Sequence, residues 1–268
     1  MLKTRILAAL IFTPIVLGLV YLGGYALGLA CIAIAMVMLW EFLELTLGKG
    51  EYYEKALGFV LGLIVAGSTL EWLPALGLGT IWPASTVLLL VAQLLQPLPI
   101  EGAMQRTAFV SFGIAYCAGL IPYLAKLREL EQGLALAFMA LLCTWAGDTG
   151  AYFAGRFLGK RKLYPAISPS KTVEGLVGGI VAAMAAAYGF WAVFGLRFHF
   201  GHALAMGALA GSLGVLGDLA ESMLKRSVGA KDSSSLIPGH GGVLDRFDAV
   251  MVVAPAIYVY CFIFLGLR

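Results

Sequence analysis

The feature that most restricts this chain is its succession of long apolar runs. About nine stretches approach the ~20 mainly apolar residues that an α-helix needs to cross a bilayer. They lie near Ile6–Leu22, Tyr25–Trp40, Ala56–Leu73, Leu78–Leu95, Thr107–Leu124, Gly133–Phe157, Val173–Phe194, Ala203–Leu224 and Phe247–Leu267. Hydrophobic residues make up 61% of the 268, and charged residues only 12%, against about a quarter in an ordinary soluble domain. So little polar material cannot clothe a water-facing exterior, whereas lipid accepts a helix that is apolar all round. The runs are also far longer than the ~10-residue alternating strands of an outer-membrane barrel. The expected fold class is all-α: a polytopic integral membrane protein with about nine transmembrane helices.

Gly23 and Gly24 alone separate the first two runs, which predicts a tight helical hairpin. Pro74, Pro83 and several glycines interrupt the third and fourth. The first run follows Lys3 and Arg5 but has no clear small-residue cleavage site before a soluble region, so it reads as a retained helix and not a signal peptide. Nine spans put the termini on opposite sides. With the N-terminus inside, only Lys126, Arg128, Arg197 and Arg268 of the 18 Lys and Arg fall outside, as the positive-inside rule requires. The predicted location is the inner (cytoplasmic) membrane, with the N-terminus and the polar loops in the cytoplasm. Cys31, Cys117, Cys143 and Cys261 stand singly within apolar runs, a pattern of small buried hydrophobes rather than disulfides or zinc ligands. No internal repeat is present. The chain divides by character into a transmembrane scaffold of about five helices (1–131) and a region of about four helices with dense polar loops (132–268).

Ionisable groups inside membrane spans are costly and mark function or tight pairing. Asp148 lies eight residues before Arg156, ~12 Å along the helix. Asp218 lies seven residues before Lys225, ~10 Å along the helix. Asp245 and Asp248 open the ninth span at the same end. Asp218, Glu221, Ser222 and Lys225 fall at i, i+3, i+4 and i+7, on one helix face. Asp148, Tyr152 and Arg156 share another. Each aspartate alone is compatible with snorkelling or with a neighbouring ion pair. Four at one depth repel one another unless a cation sits among them, and all-oxygen ligands suit Mg²⁺ or another hard cation, whose shell phosphate oxygens and water usually complete. Lys160, Arg161, Lys162 and Lys171 crowd one neighbouring loop. Lys225, Arg226, Lys231 and Arg246 crowd the next. Ser168, Ser170, Ser233, Ser234, Ser235, Gly239, Gly241 and Gly242 are interleaved with them, and glycine lets backbone N–H groups approach phosphate closely. A polybasic patch for anionic lipid would explain the lysines but not the aspartates. His199 and His202 fall at the other end and carry no expectation of function, whereas His240 sits in the Gly-rich loop. Neither a Walker A motif nor a GxSxG elbow is present. Nothing in the charge pattern points to nucleic acid.

Residues Ser222 to Asp248, SMLKRSVGAKDSSSLIPGHGGVLDRFD, resemble the signature of the phosphatidate cytidylyltransferases, the CDP-diacylglycerol synthases, at every specified position. Asp148–Lys160 (DTGAYFAGRFLGK) and Ser168–Gly175 (SPSKTVEG) resemble the same family. The second departs from the commoner SPKKT form by Ser170 in place of a lysine, while Lys171 remains. The resemblance implies that CTP and phosphatidate give CDP-diacylglycerol and pyrophosphate, that a divalent metal is required, with room for a second cation, and that the protein is a homodimer. On that reading Asp218 and Asp245 are metal ligands, and Asp148 and Asp248 ligate a second site or orient the first pair. Lys171, Lys225, Arg226, Lys231 and Arg246 contact the triphosphate or the lipid phosphate. Ser168, Ser222 and Arg156 add substrate contacts, and His240, Gly241 and Gly242 shape a phosphate-binding turn. Two other readings compete. A CTP-dependent transferase or kinase acting on another lipid, such as a polyprenol, would use the same residues. An ion-coupled transporter would instead line a path across the bilayer, and here the charges gather at one end.

Overall fold

The computed structural model describes residues 2–48, 50–75, 77–95, 100–237 and 241–268, and the side chains from residue 10 onward. His240, expected in the phosphate-binding turn, lies outside the described residues, as do Gly239 and Lys49 and the side chains of Lys3 and Arg5.

The chain is a helical bundle. Helices α1 (Leu2–Leu22), α2 (Gly24–Leu47), α3 (Tyr52–Thr69) and α4 (Leu78–Leu95) come first. α5 (Ala103–Gly113) passes through a π-helical turn at Ile114–Ala118 towards α6 (Tyr123–Glu129). α7 (Gly133–Leu158), α8 (Val173–Phe194) and α9 (Phe200–Ser227) follow, then the short α10 (Leu244–Phe247) and α11 (Val250–Tyr260), which ends in a second π turn at Cys261–Leu265. Among the described residues seven helical runs are long and apolar enough to cross a membrane, counting Ala103–Glu129 and Leu244–Leu265 as one run each. The expected count of nine is therefore not reached on these criteria. The other two runs are α1, which contributes the shorter apolar stretch Leu10–Leu22, and α3, which opens on Glu54 and Lys55.

Two departures from the predicted elements matter for the polar end. α2 runs on seven residues past Trp40, which carries Glu41 inside a helix. The loop between α7 and α8 folds into an antiparallel hairpin, β1 (Lys162–Tyr164) with β2 (Ser168–Thr172). Thr172 then caps α8, its Oγ1 accepting from Gly175 N–H at 3.0 Å and so satisfying one of the four amide donors a helix start leaves open. Gly23 and Gly24 turn the chain between α1 and α2 with φ of +64° and +50°, conformations that cost a β-carbon residue energy. All four cysteines are buried and free.

α7, α8 and α9 form the most closely packed trio. The buried positions of α8 are Gly175, Gly179, Ala183 and Ala187, spaced by fours. Small residues in such a stripe let helix backbones approach, and in lipid that close packing replaces the hydrophobic drive available in water. A β-carbon on Gly211 of α9 would meet Ile180 Cα at 2.6 Å and Gly179 O at 3.1 Å. These contacts hold α7 and α9, and with them Asp148 and Asp218, at fixed separation across α8. At the opposite end of the bundle His199 caps α9 through Gly201 N–H (3.1 Å), and His202 Nδ1 pairs with the Tyr260 hydroxyl at 2.9 Å. Both histidines therefore have structural work. Gly211→Leu is expected to cost about 1–3 kcal/mol through overpacking, read as a lower midpoint of thermal unfolding in detergent. Gly189→Leu, where a β-carbon meets nothing within 4 Å, should stay within about 0.5 kcal/mol of the parent.

Candidate active site at the polar end

The C-terminal ends of α7 and α9, the β-hairpin, the loop after α9 and the start of α10 lie at one end of the bundle. Two polar groups form there. The first holds Asp148 of α7, Asp218 of α9 and Asp248, which joins α10 to α11. These three carboxylates and Lys171 of β2 lie within electrostatic reach of one another. Lys171 Nζ is 2.7 Å from Asp218 Oδ2 and 3.4 Å from Val215 O, so the hairpin delivers its lysine directly onto α9. Asp218 also accepts from Ser222 Oγ at 3.3 Å, one helical turn on, and its side chain is 44% exposed. Asp248 Oδ1 accepts from Ala249 N–H at 2.8 Å. Asp148 is exposed. Three chain segments thus present carboxylates with acceptor capacity to spare.

The second group is more buried and more fully bonded. Lys225 pairs with Glu221, four residues earlier on α9, at 2.6 Å, and with Asp245. Asp245 Oδ2 accepts from Ser233 N–H (2.9 Å), Ser233 Oγ (2.6 Å) and Gly242 N–H (2.8 Å). Both oxygens of Asp245 are therefore engaged, and its carboxylate folds the loop around itself. A metal ion could bind Asp245 only by displacing Lys225 or these loop donors. Glu41, fully buried on α2, completes the arrangement. It accepts from Val243 N–H (2.9 Å), Leu244 N–H (2.7 Å), Ser234 Oγ (2.6 Å) and Ser233 Oγ (3.3 Å). A carboxylate from a distant helix thus caps the start of α10, where open amide donors favour an anion. Gly241 adopts φ +77° and closes a bridge to Ile237. At Gly242 a β-carbon would collide with Ser233 Oγ and the Glu41 carboxylate.

The remaining expected site residues divide by position. Arg226 is exposed, and its guanidinium closes the turn after α9 on Ala230 O at 2.9 Å. Arg156 bonds the Tyr152 hydroxyl at 2.7 Å, four residues back. Ser168 Oγ lies 3.5 Å from Ser170 Oγ on β2. Lys231 and Arg246 are exposed on the loop and on α10. Lys160 and Arg161 donate their backbone N–H groups to Glu174, which ties the hairpin to the first turn of α8.

Glu41 and Tyr116 were not expected in the site. Glu41 lies one residue past the predicted end of the second span at Trp40, within the extension of α2 to Leu47. Tyr116 sits on the π turn after α5, and π turns frequently mark functional positions. Its ring stacks on Phe112 with centroids 5.4 Å apart, and it lies within electrostatic reach of Asp248, Glu221 and Asp218. Among the described residues the Tyr116 hydroxyl and Glu221 Oε1 are buried without a hydrogen-bond partner, although buried polar groups are ordinarily paired. Among the described residues no three Asp, Glu, His or Cys side chains converge closely enough to cage a metal ion by themselves. A partial shell of oxygen donors is nevertheless what Mg²⁺ uses when substrate phosphates supply the rest. Asp148, Asp218 and Asp248 provide such donors beside the two unpartnered polar atoms, and the donor set fits a hard cation.

The model of the cytidylyltransferase family matches residues 3–264. The phosphatidate cytidylyltransferase of Bacillus subtilis (strain 168) is 35% identical over 258 residues, covering 96% of each chain. Those of Staphylococcus saprophyticus and Staphylococcus aureus (strain COL) are 35% and 32% identical over 261 and 262 residues, again covering 96% of each chain. With a match along nearly its whole length, from α1 to the final π turn, this chain belongs to the cytidylyltransferase family.

Proposed function

We propose that this protein transfers the cytidylyl group of CTP to phosphatidate, giving CDP-diacylglycerol and pyrophosphate. The observation that carries the reading is the grouping of Asp148, Asp218 and Asp248 from three chain segments around Lys171, in a protein whose relatives are named for this activity. A phosphate oxygen of phosphatidate attacks the α-phosphorus of CTP. The bond from that phosphorus to the bridging oxygen breaks, and pyrophosphate leaves with the electron pair. The attacking phosphate is ionised near neutral pH, so no strong general base is needed. The obstacle is repulsion between two polyanions, and positioning and electrostatics are what remove it.

The chain's own residues supply both. Lys171 can exchange Asp218 for a phosphate oxygen without leaving the site. The exposed Lys160, Arg161, Lys162, Lys231 and Arg246 ring the entrance and favour anionic substrates. Glu41 and Asp245 fix the loop that closes the site, and Ser222, Gly241 and Gly242 belong to that frame. A Mg²⁺ ion held by Asp218, Asp248 and Asp148 would supply further neutralisation of phosphate charge. Glu221 and Asp245 share the single Lys225, and Glu221 Oε1 has no donor. That imbalance supports a second cation nearby. We extend the proposal to the cell: a multi-pass homodimer of the cytoplasmic membrane, with the N-terminus and polar end facing the cytoplasm. The distribution of Lys and Arg supports the orientation, and the resemblance to the family supports the dimer.

Asp218→Asn and Asp248→Asn should each lower kcat/KM for CTP by about 100-fold or more, roughly 2.7 kcal/mol of transition-state stabilisation, with little change in thermal midpoint. The assay is transfer from labelled CTP to a panel of lipid phosphates and lipid alcohols. Labelling of phosphatidate supports the assignment, and labelling of a polyprenol instead overturns it. Glu41→Ala leaves two backbone donors and the Ser234 hydroxyl without their acceptor. It should destabilise the fold by about 1–3 kcal/mol and abolish turnover, as measured by denaturation in detergent and by the same assay.

A further inference from the structure

The end of the bundle away from the aspartates carries a recess. A cleft of about 970 Å³ opens between α1, α7 and α8. Its apolar wall is formed by Leu17 of α1, Phe138, Leu142 and Trp145 of α7, and Phe190 of α8. Phe138, Leu142 and Trp145 follow one another at i, i+4 and i+7, a single stripe of the α7 surface. Counted from Gln132 at the mouth, Trp145 lies ~20 Å along α7, beyond the ~15 Å hydrocarbon depth of one leaflet. The mouth is polar in one sense only: Arg128 and Arg197 stand there beside Gln132.

Arg128 is held by its side chain and Arg197 by its backbone. Arg128 donates from Nε to Val20 O at 3.0 Å and from Nη2 to Tyr21 O at 3.4 Å, so its guanidinium is docked on the last turn of α1. Two of its five N–H donors are used there. The backbone N–H of Arg197 donates to Gln132 Oε1 at 2.9 Å, which ties the loop after α8 to the start of α7, while its side chain is exposed. Neither arginine takes part in an ion pair among the described residues. Guanidinium is the side-chain group best matched to phosphate oxygens, and two of them at the mouth of an apolar cleft match an amphiphile with an anionic head. Arg197 precedes Asp218 by 21 residues, 18 of them along α9 from Phe200, so ~27 Å separates the two ends along that helix. A phosphate held at the mouth cannot reach the aspartates.

We propose that this cleft is a binding site for an anionic phospholipid of the leaflet opposite the catalytic end, its phosphate on Arg128 and Arg197 and one acyl chain along the Phe138–Trp145 stripe. The site is separate from the proposed transferase chemistry, and its failure would leave that reading untouched.

Native mass spectrometry of delipidated protein, titrated with dioleoyl phosphatidylglycerol or dioleoyl phosphatidylcholine, tests it. Wild type should retain one phosphatidylglycerol about tenfold more tightly than phosphatidylcholine. Arg197→Gln, which removes a guanidinium that makes no bond among the described residues, should lose that preference while cytidylyl transfer in lipid-poor detergent stays unchanged. Leu142→Trp, which fills the cleft without altering charge, should weaken retention of both lipids. Equal binding of the two lipids by wild type, a preference that survives Arg197→Gln, or retention indifferent to Leu142→Trp would each overturn the proposal.

Discussion

A buried carboxylate on α2 holds the polar end of this protein together. Glu41 has no exposure to solvent and accepts from two backbone amides and two serine hydroxyls of the loop that precedes α10. An ionised group so far from water is costly unless its lone pairs are filled, and the loop fills them. The same donors would be stranded if the carboxylate were absent. Ser233 links this anchor to the next, because its hydroxyl lies 2.6 Å from Asp245 and 3.3 Å from Glu41 and its backbone N–H also serves Asp245. With one hydroxyl proton to give, Ser233 favours the shorter contact. The loop is therefore clamped between the N-terminal half of the chain and its own helix start, and Asp148, Asp218 and Asp248 are spared this structural task.

That division of labour sorts the acidic residues. Glu41 and Asp245 spend their acceptor capacity on the fold. Glu221 is half-employed, paired with Lys225 through one oxygen and unpartnered at the other. Asp148, Asp218 and Asp248 retain the most free capacity, and they come from helices whose spacing is set elsewhere, by glycine and alanine. The α8 stripe of Gly175, Gly179, Ala183 and Ala187 brings α7 and α9 close enough for Asp148 and Asp218 to feel one another. A larger residue in that stripe would separate the carboxylates without touching them. Packing at the bundle centre and electrostatics at its end are thus one device.

The predicted helices and the polar residues of the C-terminal half were legible because each signal is local. Apolar runs reveal helices in lipid, and acidic residues within them stand out. The run Val173–Phe194 coincides with α8 because Lys171 and Thr172 precede it and Gly195 follows it. The hairpin at Lys162–Thr172 was not legible, since its short strands are polar and carry no alternating apolar pattern. The role of Glu41 has no local signal, since its hydrogen-bond donors come from residues 192 to 203 positions later in the chain. Tyr116 reads like any aromatic in an apolar run, and its place within electrostatic reach of Asp218, Glu221 and Asp248 depends on segments distant in sequence.

The linear order of side chains was enough to establish a membrane-embedded helical protein and the family to which it belongs. These follow from burial cost and from motif spacing, which are properties of neighbours along the chain. Which carboxylates organise the loop and which remain open to a cation was decided only in three dimensions. Hydrogen-bond capacity is consumed by donors from residues as far apart in sequence as Glu41 and Leu244, and no local pattern records that exchange.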